Sequence, residues 1–242
     1  MNPQQDSAWS LRGCVALITG AGAQVVLVAR TEPEVTAVAR EISAAGGDAR
    51  IHVADVTDES AARAAVAAAE ATGYLRCVVN AAGTNRPDPA QDYRTTDWDA
   101  LFAVNVRATF VIRQAAGEGM ITRGAGGSII NMSSQMGAVG YPGRSAYCAT
   151  KHAVNGLTRA LAVEWAPHGI RVNAVAPTFV ETPMVARWLA DDAFRDDVLA
   201  RIPMRRLASV DDVAHGVRYL ACDASASVTG HILAIDGGWT AW

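Results

Sequence analysis

The chain has 242 residues, half of them hydrophobic, and a formal charge of -3. That length suits one α/β domain with a large core, and without a long basic run nucleic acid is not expected as a partner. No apolar run reaches the roughly 18 to 20 residues of a membrane span, and Met1 to Ser10 lacks a basic-then-apolar leader.

Cys14, Cys77, Cys148 and Cys222 have no metal-ligand spacing, so packed, reduced thiols, no metal and a cytoplasmic location are expected. Apolar β-type runs then alternate with Ala-rich helical segments. Strands are predicted at Cys14–Ile18, Val25–Val28, Ile51–Val53 and Arg76–Val79. Helical spacing lies between them, at Glu34–Ser43 and Glu59–Ala71. A long amphipathic helix is predicted over Asp97–Arg113, and Gly124-Ala125-Gly126-Gly127 turns the chain into a strand at Ser128–Met132. A helix at Ser145–Trp165 and a strand at Arg171–Val175 follow. Glu181 to Ala208 is polar and less regular, as a mobile lid would be. The helix Val210–Cys222 and the strand Ile232–Ile235 end the pattern. The alternation predicts a single-domain, Rossmann-like, doubly wound parallel sheet.

The chemistry concentrates in Asn131 to Val154. Tyr147 and Lys151 stand four apart, so on a helix they share one face. A lysine ammonium beside a phenol is expected to lower the phenol pKa from about 10 and let it exchange protons near neutral pH. Tyr-x-x-x-Lys alone is common on ordinary helices. Here Ser134, at the end of a β-branched run, adds a hydroxyl that could polarise the same substrate oxygen. Small residues (Ser145, Ala146, Cys148, Ala149 and Thr150) would let a flat ligand approach.

Ser134, Tyr147 and Lys151 together resemble the catalytic pattern of the short-chain dehydrogenase/reductase family, and the likeness runs through nearly the whole chain. The resemblance implies hydride transfer between NAD(P) and a secondary alcohol or ketone. Tyr147 would be the acid/base, Ser134 would hold the substrate oxygen, Lys151 would bind the nicotinamide ribose, and Asn105 would support a proton relay. It further implies cofactor contacts from Asp55 and Val56 to adenine, from Asn80-Ala81-Ala82-Gly83 to the adenine ribose, and from Pro177, Val180 and Thr182 to the nicotinamide end. Arg30 closes the second strand where a carboxylate would bind the ribose diol of NAD, and an arginine there suits the 2′-phosphate of NADP. Val228-Thr229-Gly230 and Asp236-Gly237-Gly238 resemble the family's C-terminal signature and imply a homotetramer.

One stretch departs from the pattern. Thr19-Gly20-Ala21-Gly22 resembles the opening of the family's glycine-rich loop, in which Gly20 and Gly22 would approach the pyrophosphate. The later glycines and the first crossover helix have no counterpart before Gln24. Neighbouring parallel strands are ordinarily joined by a dozen residues or more. Three accounts are open: the sequence lacks a segment that the protein has, the segment is truly lost, or the two strands form an antiparallel hairpin. The intact downstream positions favour the first account, which an intact mass of 25.4 kDa would exclude.

Around the catalytic set, Asn85, Arg86, Gln135, Met136, Arg144, Met184 and Trp188 are candidate pocket residues. Their polarity favours a sugar, polyol or sugar acid, with a 3-oxoacyl thioester or another ketone as the alternative. A scaffold impaired in cofactor binding is the rival from another class. A Rossmann-type methyltransferase would leave Ser134, Tyr147 and Lys151 without a role.

Overall fold

Side chains alternate across a β-strand, so a strand apolar at successive positions must be covered on both faces. The computed structural model, which describes residues 15–17 and 24–241, shows that arrangement. Nothing is described of the side chains at positions 15–17, 24, 183, 184 and 187, so the proposed pocket role of Met184 cannot be placed. Gly20, Gly22, Cys14 and Ile18 lie outside the described residues. The strands are β1 (Val15–Leu17), β2 (Gln24–Ala29), β3 (Ala49–Val53), β4 (Leu75–Asn80), β5 (Gly127–Met132), β6 (Ile170–Pro177) and β7 (Ile232–Ile235). Among the described residues they form one seven-stranded sheet in the order β3-β2-β1-β4-β5-β6-β7, and every neighbouring pair is parallel.

The hairpin account of the first crossing is therefore overturned. Val15 pairs with Gln24 and Leu17 with Val26 in parallel register, so only positions 18–23 join β1 to β2. That is about half the usual minimum for such a connection.

One sheet face (Val26, Val28, Val78, Ile129, Val172) packs on α2 (Glu59–Ala71), α4 (Thr109–Arg123) and α5 (Ser145–Trp165). The other (Val25, Leu27, Cys77, Val79, Ile130, Val175) packs on α1 (Glu32–Ala44) and α8 (Val210–Ala221). Asp58 caps α2 by accepting from Ala61 N. Ser209 and Asp212 form a capping box at the start of α8, satisfying first-turn N–H groups that have no partner inside the helix.

Two expectations are corrected. The helix predicted over Asp97–Arg113 is α3 (Thr95–Phe102), a π-helical turn (Ala103–Ala108) and then α4, which runs ten residues further to Arg123. Gly117 and Gly119 are poor helix formers and masked that continuation. Tertiary packing overrides them, for Gly117 lies against the Trp165 ring where no larger side chain fits. The supposedly irregular 181–208 segment holds α6 (Pro183–Leu189) and α7 (Asp192–Arg201). A small third core of Met136, Phe179, Val198, Ile202 and Trp239 lies beneath α7. Entry to β5 needs glycine: Gly126 has φ 67°, and a Cβ there would lie 2.5 Å from the Gly169 carbonyl oxygen.

Candidate active site

The carboxyl ends of β4, β5 and β6 open into a cavity of about 340 Å³, lined by Ser134, Gln135, Met136, Tyr147, Pro177, Val180, Thr182 and Trp188 among others. Parallel α/β sheets ordinarily bind ligands at this edge. The β5 strand delivers Ser134 in extended conformation at its end, where its Oγ accepts from Met136 N at 3.2 Å. The α5 helix brings Tyr147 and Lys151 to the same edge, with Lys151 Nζ 5.4 Å from the Tyr147 ring centroid.

The bracing beneath them is polar and buried. Asn80 donates to Asn131 (3.1 Å), and Asn131 donates to Thr158 (3.0 Å), tying β4, β5 and α5 together. Asn105, in the π-helical turn, accepts from Thr84 N and donates to Thr84 O, both at 2.9 Å, and also donates to Thr150 Oγ1 at 3.2 Å. A π-turn is often found where a helix serves a functional group, and this one holds the Asn105 amide against the loop after β4. At Gly83 a Cβ would lie 3.3 Å from Asn105 Oδ1 and 3.8 Å from Lys151 Nζ. Gly83, Asn105 and Lys151 thus converge. Gly137 lies closer still. A Cβ there would meet Asn155 Nδ2 at 2.6 Å, and Lys151 O and Ser133 Oγ at 2.9 Å. Gly137→Ala should therefore cost about 1–3 kcal/mol and slow turnover by displacing Ser134, as urea unfolding and kcat would show.

The electrostatics differ from the sequence expectation. Burial pushes the Tyr147 phenol up to about 12, and a hydrogen bond to Ser134 only partly opposes it. Lys151, whose Nζ donates to the Met132 carbonyl at 2.8 Å, does not counter that burial, because it loses its charge below the pH at which the phenol would ionise. Its own pKa falls to about 8 through burial and the nearby Arg113 cation. The unliganded site therefore keeps its proton on Tyr147.

The cofactor-side residues lie along the same sheet edge. Arg30 and Asp55 face each other across the ends of β2 and β3, with Nη1 and Oδ2 3.8 Å apart and both side chains open to solvent. Two hydrogen bonds from Thr57 hold the Asp55 carboxyl below its usual range. Val56 packs at the margin of the core. Ala82 and Gly83 are half-buried in the loop after β4. Thr178 takes the place of a glycine common in the family. Its φ is not positive, since Arg205 is the only non-glycine in that region among the described residues. Its Cβ therefore brings no backbone strain.

Of the substrate-side candidates, Gln135, Met136, Trp188 and Asn85 line the cavity. Arg86 instead reaches Asp97, and Arg144 lies under the Trp188 ring. The apolar wall from α8 (Val210, Val213, Ala214 and Val217) was missed from sequence. These residues are remote in the chain, and only the sheet order brings them to the catalytic edge.

A nicotinamide dinucleotide fits the residues present at both of its ends. The space at Gly83, bounded by Asn105 and Lys151, would be filled by any side chain. The buried Thr178 hydroxyl and Asn85 Oδ1 lack partners, as polar atoms awaiting a ligand would.

Fold and site together define an α/β oxidoreductase. The family model described as Enoyl-(Acyl carrier protein) reductase matches residues 12–240. The chain belongs to the short-chain dehydrogenase/reductase family and is an enzyme acting on CH–OH groups with a nicotinamide cofactor. It is 36% identical to gluconate 5-dehydrogenase of Gluconobacter oxydans, over 96% of each chain. It is 38% identical to galactitol 2-dehydrogenase (L-tagatose-forming) of Cereibacter sphaeroides, over 98% of each. The crystal structure of a gluconate 5-dehydrogenase from Burkholderia cenocepacia, in complex with NADP and tartrate, superposes with a TM-score of 0.92 at 35% identity, covering 98% of both chains. The alignments to the first two relatives span 248 and 253 positions. Both exceed the 242 residues of this chain, so each relative has residues with no counterpart here.

Proposed function

We propose that the protein oxidises and reduces a sugar, polyol or sugar acid with NADP(H), using Tyr147 as acid/base. The observation that carries this reading is the cavity itself. Ser134 and Tyr147 lie on its wall beside Gln135, whose buried amide nitrogen and oxygen are both without partners. Each unmet polar atom costs free energy in a dry site. Hydroxyls along a polyhydroxy chain would satisfy them, whereas the acyl chain of a 3-oxoacyl thioester would not.

When bound, the nicotinamide supplies the hydride donor or acceptor. Ser134 Oγ holds the substrate oxygen against the phenol. Tyr147 gives its proton to that oxygen in reduction and takes one in oxidation. Lys151 would bind the nicotinamide ribose, and Asn105 would support the proton relay to solvent. Arg30, exposed at the end of β2 and only loosely paired with Asp55, favours the 2′-phosphate of NADP over NAD. Structural relatives described with NADP support this preference. Asp55, Val56, Asn80, Ala82, Gly83, Pro177, Val180 and Thr182 would line the remaining cofactor path, with Gly20 and Gly22 beside the pyrophosphate. A homotetramer in the cytoplasm completes the proposal, and among the described residues no helix is long and apolar enough to cross a membrane.

The short β1–β2 crossing favours a second reading, a scaffold that holds nucleotide poorly. Fluorescence titration with NADPH and NADH separates the two. The enzyme reading expects saturation, tighter for NADPH, followed by turnover on a sugar and polyol panel. Equal affinity for both would remove the NADP preference, and no saturable binding to either would leave the scaffold.

A further inference from the structure

The proposed polyhydroxy substrate can be narrowed through Arg144. The residue is 6% exposed, yet none of the ion pairs among the described residues includes it. Its hydrogen bond goes from Nη1 to the Gly143 carbonyl at 3.3 Å. Nε is sealed from solvent without an acceptor, while Nη2, also without one, is not sealed. Asp197, which bonds the neighbouring Tyr141, is held in a two-pronged contact by Arg201. Burying a guanidinium without an anion is costly.

Its position adds a second cost. Arg144 is the N-cap of the 21-residue helix α5, whose positive dipole end disfavours a cation. The side chain makes no capping bond there, so helix formation does not require an arginine. The guanidinium does not itself line the cavity but borders it through Trp188, with Tyr141, Cys148 and Tyr147 nearby. It lies 5.0 Å from the centre of the Trp188 ring, which lines the cavity, and its charge is felt at Tyr147 three residues on. A cation with an open, unfilled terminal nitrogen, beside a helix start and a catalytic tyrosine, suits a carboxylate.

We propose that Arg144 recognises the carboxylate of the substrate, and so that the preferred substrate class is a polyhydroxy acid and not the uncharged polyol. This inference rests on the sugar-type function proposed above. The carboxylate docks at Nη2, leaving a hydroxyl further along the chain at Tyr147 and Ser134.

The test compares aldonates with their matching alditols (gluconate with glucitol, galactonate with galactitol) on wild type, Arg144→Met and Arg144→Lys. Wild type should favour the aldonate. Arg144→Met should lower kcat/KM for the aldonate by about 10- to 100-fold, mostly through KM, and by a clearly smaller factor for the alditol, which shares only the effect on Tyr147. Arg144→Lys should recover part of the loss, since it keeps the charge but not the fork. Equal losses on both substrates, or wild-type preference for the alditol, would overturn the carboxylate role while leaving the polyol reading standing. Turnover of neither by wild type that binds NADPH would remove the sugar-type function, and this inference with it.

Discussion

Tyr147→Phe should lower kcat by about 100- to 10,000-fold, the range associated with loss of a positioned acid/base. The dissociation constant for NADPH should change by less than about twofold. The asymmetry follows from where the phenol stands. Its ring is held by burial on α5, and phenylalanine would keep that packing. Its oxygen is the only atom removed, and it stands on the cavity wall within hydrogen-bonding reach of Ser134. Because burial raises the phenol to about 12, the unliganded enzyme should show no ionisation of Tyr147 near neutral pH in difference spectra. Turnover of Tyr147→Phe within about threefold of wild type would refute the assignment.

Lys151→Met should also lose most turnover, yet become more stable relative to wild type at neutral pH than at high pH. Lys151 titrates at about 8 in the folded protein against an ordinary 10.5. Between these values the unfolded chain binds more protons than the folded one, so wild-type stability rises with pH across that window. Below pH 8 the whole cost of the buried ammonium is present, at most about 3 kcal/mol. Methionine removes that cost but leaves the Met132 carbonyl without its donor, offsetting about 1–3 kcal/mol. The Tm difference, variant minus wild type, should therefore be greatest at neutral pH and shrink towards pH 10.5. Tyr147 contributes with the opposite sign above its ordinary 10, where its raised pKa makes stability fall with pH until about 12. The comparison is cleanest below pH 10 for that reason. A difference that does not vary with pH would mean that Lys151 is not held at a lowered pKa.

Local periodicity carried most of the fold. The limits of α2, α5 and β7 agree with it residue for residue, because those segments pair strong propensity with an unambiguous apolar face. The π-turn at Asn105 was not legible, since it depends on contacts with Thr84 and Thr150, 21 and 45 residues away. Helix α7 was hidden by its polar composition, and α6 by its length of only seven residues. Met136, Phe179 and Trp239, from other parts of the chain, form the core on which α7 packs. Within the site, spacing correctly brought Tyr147 and Lys151 to one helix face. It could not show that the Met132 carbonyl occupies the lysine and that burial governs the tyrosine. The unpaired state of Arg144 was likewise invisible, since only the folded chain shows which carboxylates are already taken.

The first crossing remains the place where sequence and fold pull hardest against each other. The strands are parallel, as the family requires, but joined by six positions, and relatives contain residues this chain does not. The described edge brings Ser134, Tyr147 and Lys151 together, while the proposed phosphate-binding side depends on what lies between Leu17 and Gln24. Cofactor affinity is therefore the decisive quantity. Fluorescence titration of protein of verified mass with NADPH should give a saturable curve with one site per chain, which addition of NADP⁺ competes away. Failure of both NADPH and NADH to saturate it would contradict the account at its centre.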